Sequence, residues 1–323
     1  MSLSDILRAM QELHRIGMRA ISLDGGEPLV SEHFESVVDW LHDHGVVLRI
    51  NTNGVLVGQH REAIRRMQKV KISLDGPPQV HDAARGHKAF DRAVRGAMIA
   101  RELGVGVELT CVLGPHNARD IDPLLDIAAS MGFGVVFQPM RKSLLAAVAQ
   151  ALGPDARAVL EAFRRIEQRK AQGAPVLNRW SSLRHFRSWP ANRSLPCAAG
   201  WINATLDPEG NLYACGQFDR SASRHNVVKL GTDDAFRHLV RSGCSQCWCA
   251  RVVEENYAWG MRFDMNLPIR QHGQNVAAIA RCSVENPASD TARAESDSAP
   301  TFAAMAQSER RGPLSSAFPP LNP

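Results

Sequence analysis

No apolar run in these 323 residues approaches the ~20 that a helix needs to cross a bilayer. The stretch from Met1 to Met18 mixes acids and bases in an amphipathic pattern, which reads as neither signal peptide nor membrane anchor. Blocks of like charge are missing as well. The 38 basic and 33 acidic residues leave a net charge of +5 that is scattered along the chain. Nucleic-acid binding calls for a clustered basic stripe, so neither a nucleic acid nor a membrane is an expected partner. No internal repeat stands out. The first half of the chain has a single cysteine, Cys111. These absences leave an ordinary globular protein, expected in the cytoplasm, with chain enough for roughly two domains.

What is present is an alternation of short strands and amphipathic helices. Leu3, Ile6, Leu7, Met10, Leu13 and Ile16 recur at helical spacing, and Gly17 is placed to end that helix. Strands are predicted at Ala20–Leu23, Val46–Ile50, Val70–Leu74, Val105–Leu113 and Gly134–Phe137. Helical faces fall between them, and a last helix runs to Ala171. Such spacing predicts right-handed βαβ units and a parallel sheet. Polar or glycine-rich residues follow one strand after another: Asp24-Gly25-Gly26-Glu27-Pro28, Asn51-Thr52-Asn53-Gly54, Asp75-Gly76-Pro77-Pro78 and Gln138-Pro139. In barrels and open α/β sheets, ligands bind at that carboxyl edge.

After Ala171 the periodicity stops and the cysteines begin. Trp201–Leu206 and Leu212–Ala214 flank the turn residues Asp207-Pro208-Glu209-Gly210-Asn211, so a hairpin presents Cys197 and Cys215 at its two ends. Cys244, Cys247 and Cys249 follow at bite spacing. By spacing alone the set suits zinc or an iron–sulfur cluster equally well. Cys111, on a predicted core strand, reads as a small apolar filler. Cys282 is either a late ligand or uninvolved. The tail beyond it has too few periodic apolar residues to offset the entropy of ordering and is expected to be disordered.

Taken in order, these motifs resemble the radical S-adenosylmethionine (radical SAM) enzymes. Gly25-Gly26-Glu27-Pro28 is similar to their glycine-glycine-glutamate-proline motif. Asn51–Gly54, Ser73–Gly76, His81-Asp82 with Arg85-Gly86, and Gln138-Pro139 follow in the family's order. The Cys-x12-Gly-x4-Cys hairpin with its later cysteines resembles the SPASM or shorter twitch extension, which holds auxiliary [4Fe–4S] clusters. The resemblance covers about Leu3 to Gly260. It implies an α/β fold: a partial (β/α)6 TIM-like barrel missing its first strand, plus a small Cys-rich SPASM/twitch-like extension. The expected division is 1–172 for the barrel, 173–282 for the auxiliary-cluster domain and 283–323 for the tail.

The same resemblance implies S-adenosylmethionine as cofactor. Gly25, Gly26 and Glu27 would hold its methionine amine, Asn53 and Ser73 would lie near the ribose and carboxylate, Arg85 would be a carboxylate partner, and Pro28 and Asp75 would join them in binding the cofactor. Gln138 would sit at the adenosine end. Cys197, Cys215, Cys244, Cys247 and Cys249 would hold one auxiliary [4Fe–4S] cluster, with one thiol to spare. The family's Cys-x3-Cys-x2-Cys, which seats the SAM-cleaving cluster, occurs nowhere in the 323 residues. The expectation is therefore an oxidoreductase or maturase using a 5'-deoxyadenosyl radical, N-terminally truncated here. It would act on a peptide or small-molecule precursor and be served by a reductant protein. The alternative is a non-catalytic, degenerate relative or fragment that binds an iron–sulfur cluster or zinc.

Overall fold

The computed structural model describes residues 1–140, 156–189, 195, 197–216, 225–239 and 247–262. Helix α1 (Leu3–Arg15) begins where the Ser2 hydroxyl accepts the Asp5 amide at 3.2 Å, and Gly17 ends it with a φ of +117°. Five strands follow: β1 (Ala20–Leu23), β2 (Val47–Thr52), β3 (Lys69–Ser73), β4 (Gly106–Leu113) and β5 (Gly134–Pro139). They pair in sequence order, and every pairing is parallel. The connections carry α2 (Phe34–Asp43), α3 (Arg61–Arg65), α4 (Pro78–Arg85), α5 (Ala89–Glu102) and α6 (Ile121–Met131). Beyond β5, α7 (Ala156–Ala171) leads to Val176, which bridges in parallel to Val135 and covers that edge of the sheet.

The two faces of the sheet differ because side chains alternate along a strand. Leu48, Ile50, Val70, Ile72, Leu109, Cys111, Val135 and Phe137 are fully buried against the helices. Each such side chain contributes about 1.5–3 kcal/mol relative to exposure. The other face carries Arg49, Asn51, Lys69, Lys71, Ser73, Glu108, Thr110 and Gln138, all partly buried. The sheet is thus apolar on its helix-covered face and polar on the other.

Helix α4 was not legible in the sequence. Pro77-Pro78 reads as a stop after β3, yet a proline also suits the first turn of a helix, where its missing N–H costs nothing. Helix α8 (Trp180–Phe186) also lies in a stretch without a readable period, because seven residues are too few to show one. The Cys-rich part contains the expected hairpin, β6 (Thr205–Leu206) with β7 (Leu212–Tyr213), although Trp201 stands in the turn before it and not in the strand. Then come α9 (Val227–Leu230), α10 (Thr232–Arg237) and α11 (Ala250–Arg262). Among the described residues, no helix is long and apolar enough to cross a membrane.

Candidate functional site

The carboxyl ends of β1, β2 and β3 are knitted together by side chains of the loops that leave them. The Glu27 carboxylate accepts the Leu29 amide at 3.3 Å, the Thr52 hydroxyl at 2.6 Å and the Asn53 amide at 2.7 Å. It starts the 3-10 turn Pro28–Val30 and ties the end of β1 to that of β2. Asn51 donates to Asp24 at 2.8 Å one step below. The Asn53 side-chain Oδ1 accepts the Val55 amide at 2.9 Å, holding the loop after β2 in a tight turn. An ionised carboxylate offers about four lone-pair sites, so three donors leave Glu27 capacity for one more.

Gly25 has a φ of +127°, and a Cβ placed on either Gly25 or Gly26 meets no protein atom within 4 Å. The Gly25 amide donates to the Asp24 carboxylate at 3.0 Å, and the space where side chains of Gly25 and Gly26 would stand is open. This is a cradle that a small ligand can approach closely.

Asp75, just past β3, is 4% exposed and the hub of the next strand end. Its Oδ1 accepts the Val112 amide at 3.0 Å, and its Oδ2 accepts Nε of Arg85 at 2.7 Å. The Asp75 amide donates to Nδ1 of His81 at 3.0 Å, and its carbonyl accepts Asn117 at 2.8 Å. Burial pushes the His81 imidazole below its ordinary value, with the Asp75 carboxylate working the other way. The ring therefore stays neutral, as its accepting role requires. Arg85 thus has Nε committed to Asp75, and its side chain is 40% exposed. Ser73 ends β3 on the polar face. His81 and Asn117 are buried members of this network whose part in it sequence spacing does not reveal, since they act on Asp75 and not on an open site.

Gln138 lies at the same edge on β5, and its Oε1 accepts the amide of Ala250, the residue after Cys249, at 3.1 Å. The Cys-rich segment is therefore fastened to the strand-end edge. Cys197, Cys215, Cys247 and Cys249 form no disulfide. Burial pushes the Cys247 thiol up, and Cys249, Cys215 and Cys197 add to the rise because their charges lie close to it. His185, fully buried, stands 2.7 Å through Nε2 from the Cys247 carbonyl and packs on Trp248 at 5.0 Å. The hairpin turn is set by Asp207. Its carboxylate accepts amides of Glu209 and Asn211 at 3.0 and 2.8 Å and the Tyr213 hydroxyl at 3.0 Å. Burial opposes its charge, but the donors from Asn211, Tyr213 and Glu209 prevail and hold it below the usual carboxylate range. Among the described residues, no three His, Cys, Asp or Glu side chains converge closely enough to share a single metal ion. Cys244 and Cys282 lie outside the described residues. Cys111 is a core residue, 1% exposed, as its strand position predicts.

The strand-end architecture has a counterpart in sequence comparison: residues 1–128 match the model of the Radical SAM superfamily. Those residues belong to that superfamily. The radical SAM unit is accompanied by similarity over a longer stretch. The chain is 30% identical over 216 residues to mycofactocin maturase MftC of Mycobacterium tuberculosis (strain CDC 1551 / Oshkosh), covering 64% of this chain and 54% of that protein. The chain thus spans about half the length of the curated relatives it matches. Among solved structures it is similar to anSMEcpe with bound AdoMet and Kp18Cys peptide, with a TM-score of 0.54 and 16% identity over 73% of this chain and 72% of the other. It is also similar to Streptococcus suis SuiB bound to the precursor peptide SuiA, with a TM-score of 0.51 and 13% identity over 81% and 60%. At these identities the structures speak for a shared radical SAM fold, and the parallel half-barrel is that fold.

Proposed function

We propose that this chain carries the SAM-binding and auxiliary-cluster parts of a radical SAM maturase that acts on a peptide. Residues 1–172 form the SAM-binding half-barrel and residues 173–282 the auxiliary-cluster domain. Gly25 and Gly26 receive the methionine end of S-adenosylmethionine, and the spare lone pair of Glu27 takes its ammonium. Asn53, Ser73 and the guanidinium of Arg85 serve its ribose and carboxylate, and Asp75 holds Arg85 in place. Bound SAM would supply a deoxyadenosyl group for hydrogen removal from substrate once one electron from a SAM-cleaving cluster splits it, and the Cys-x3-Cys-x2-Cys that would seat that cluster is not among these 323 residues. Peptide substrates are favoured because a mycofactocin maturase and a precursor-peptide complex stand among the relatives.

The observation that carries this reading is the bond from Ala250 to Gln138, which fastens the cysteine segment to the edge where the glycine cradle opens. Cys249, Cys215 and Cys197 all lie close enough to Cys247 for their charges to act on it. An all-thiolate donor set suits an iron–sulfur cluster or zinc, and the resemblance of the cysteine hairpin to an auxiliary-cluster extension favours the iron–sulfur cluster. Cys197, Cys215, Cys247 and Cys249 would hold it, with Cys244 as the further candidate.

Gly26→Ala separates the cradle from the fold. The added methyl meets no protein atom and the residue is not at positive φ, so the denaturation midpoint stays unchanged. SAM affinity, measured by calorimetry on anaerobically reconstituted protein, falls roughly tenfold or more as the methyl enters the ligand's space. Equal affinity in the two proteins, or no SAM binding by either, overturns the reading. Reconstitution should give four irons and four sulfides per chain and broad absorption near ~400 nm. A colourless product loaded with zinc overturns the cluster assignment.

A further inference from the structure

The polar face of the sheet carries charges that the binding of SAM does not use. Arg49 and Lys69 stand in register on β2 and β3. One row nearer the carboxyl edge, Lys71 stands in register with Asn51 on one side and Glu108 on the other. Lys69 donates to one Glu108 oxygen, and Lys71 lies 3.8 Å from the other. One carboxylate thus serves two ammonium groups. Arg49 spends its Nε on the neutral side-chain oxygen of Gln68 at 3.1 Å and, among the described residues, has no acid partner. Asp24, past the end of β1, is taken by Asn51 at 2.8 Å and the Gly25 amide at 3.0 Å. Three cations therefore face one ion-paired acid.

These are not fully hydrated surface groups. Side-chain exposure is 20% for Lys71, 35% for Lys69 and 15% for Glu108. Positive charge in excess and partly out of water attracts an anion more strongly than the same charge in bulk solvent. In the row above, Ser73 and Thr110 stand in register, and the buried Thr110 hydroxyl has no hydrogen-bond partner. Lys71 is two residues below Ser73 on the same face, ~6.6 Å along the strand. A group reaching down from the carboxyl edge, where the glycine cradle opens, passes these hydroxyls and comes to the Lys71 ammonium. We propose that Lys71, with Lys69 and Arg49 behind it, receives a carboxylate of the substrate, so the peptide taken here presents an acidic group to the sheet. This inference rests on the peptide-maturase reading given above and adds the charge of its substrate. Glu108 gathers the two lysines and competes with the incoming carboxylate for them.

The test titrates small probes into the full chain carrying isotope-labelled lysine, followed by nuclear magnetic resonance. N-acetylglutamate α-amide presents a side-chain carboxylate, N-acetylglutamine a terminal one, and N-acetylglutamine amide none. At least one of the two carboxylates should shift the Lys71 and Lys69 signals to saturation, and the uncharged probe should not. Lys71→Met should weaken that binding about tenfold or more. Glu108→Gln should strengthen it several-fold, because the competing carboxylate is gone, a gain that a purely structural role does not produce. Should Lys71→Met fail to fold, Arg49→Gln decides, with a several-fold loss. An equal response to charged and uncharged probes, or unchanged affinity in the folded variants, overturns the proposal. Calorimetry with SAM on the wild type separates the two readings. A chain that binds the carboxylate but not SAM overturns the maturase reading and leaves the anion site standing. One that binds SAM but neither carboxylate overturns the anion site alone.

Discussion

Asp75 shows how one side chain at a strand end can organise two neighbours. It joins β4 through the Val112 amide and α4 through Arg85, while its own amide and carbonyl are taken by His81 and Asn117. Asp75→Ala should lower unfolding free energy by about 2–3 kcal/mol in urea denaturation, because buried donors lose their acceptor. His81 adds a pH dependence of known sign. Burial sets its folded pKa below the ordinary value, so the unfolded chain binds the extra proton first. Its contribution is complete above the ordinary histidine range, about pH 6.5, and is lost as pH falls below it. A stability profile between about pH 7.5 and 5 should therefore slope less in His81→Gln than in the wild type.

At the scale of elements, the placement of α5 against the end of β2 depends on two glycines. A Cβ on Gly96 would stand 2.2 Å from the Gly54 carbonyl oxygen, and Gly54 itself has a φ of +85°. The helix rests directly on the turn that follows β2, the turn that contains Asn53. In a solvated helix Gly→Ala gains about 1 kcal/mol. Here Gly96→Ala should instead destabilise by about 1–3 kcal/mol, since backbone must move, and it should weaken SAM binding by shifting Asn53. Chemical denaturation paired with calorimetry checks both effects. The sequence marks Gly54 as a turn glycine, but nothing in it marks Gly96, whose partner lies 42 positions upstream and meets it only through the crossover.

For the whole molecule, the Cys-rich part is held to the barrel by polar links at separate places. The Met1 ammonium donates to the Pro208 carbonyl at 2.7 Å, Glu12 accepts the Thr232 amide at 2.7 Å, and Gln138 accepts the Ala250 amide at 3.1 Å. Ala235, Leu239, Val252 and Val253 continue the buried apolar core between them. A cluster that binds only the folded form should stabilise the whole described unit and not just the hairpin. The melting temperature should rise on anaerobic loading and fall again when a chelator strips the iron. Asp207→Ala should abolish most of that rise, because the turn that brings Cys215 toward Cys197 loses its acceptor.

The strands and helices of the parallel sheet, the turns at strand ends and the cysteine hairpin were all written locally, in period, in β-branched runs and in Gly, Asn and Asp at turns. Those features require only near neighbours, so the sequence by itself determined them. Which side chains are spent on structure was decided elsewhere. Glu27 bonds to the end of β2, Arg85 to Asp75, and Gln138 to the start of α11, and each of these contacts bridges elements whose separation along the chain carries no pattern. Helices α4 and α8 likewise form because they have a surface to bury against, α8 lying on α7 and α11. Tertiary structure alone settled these matters, because a hydrogen bond or a buried charge depends on distance in space and not on distance along the chain.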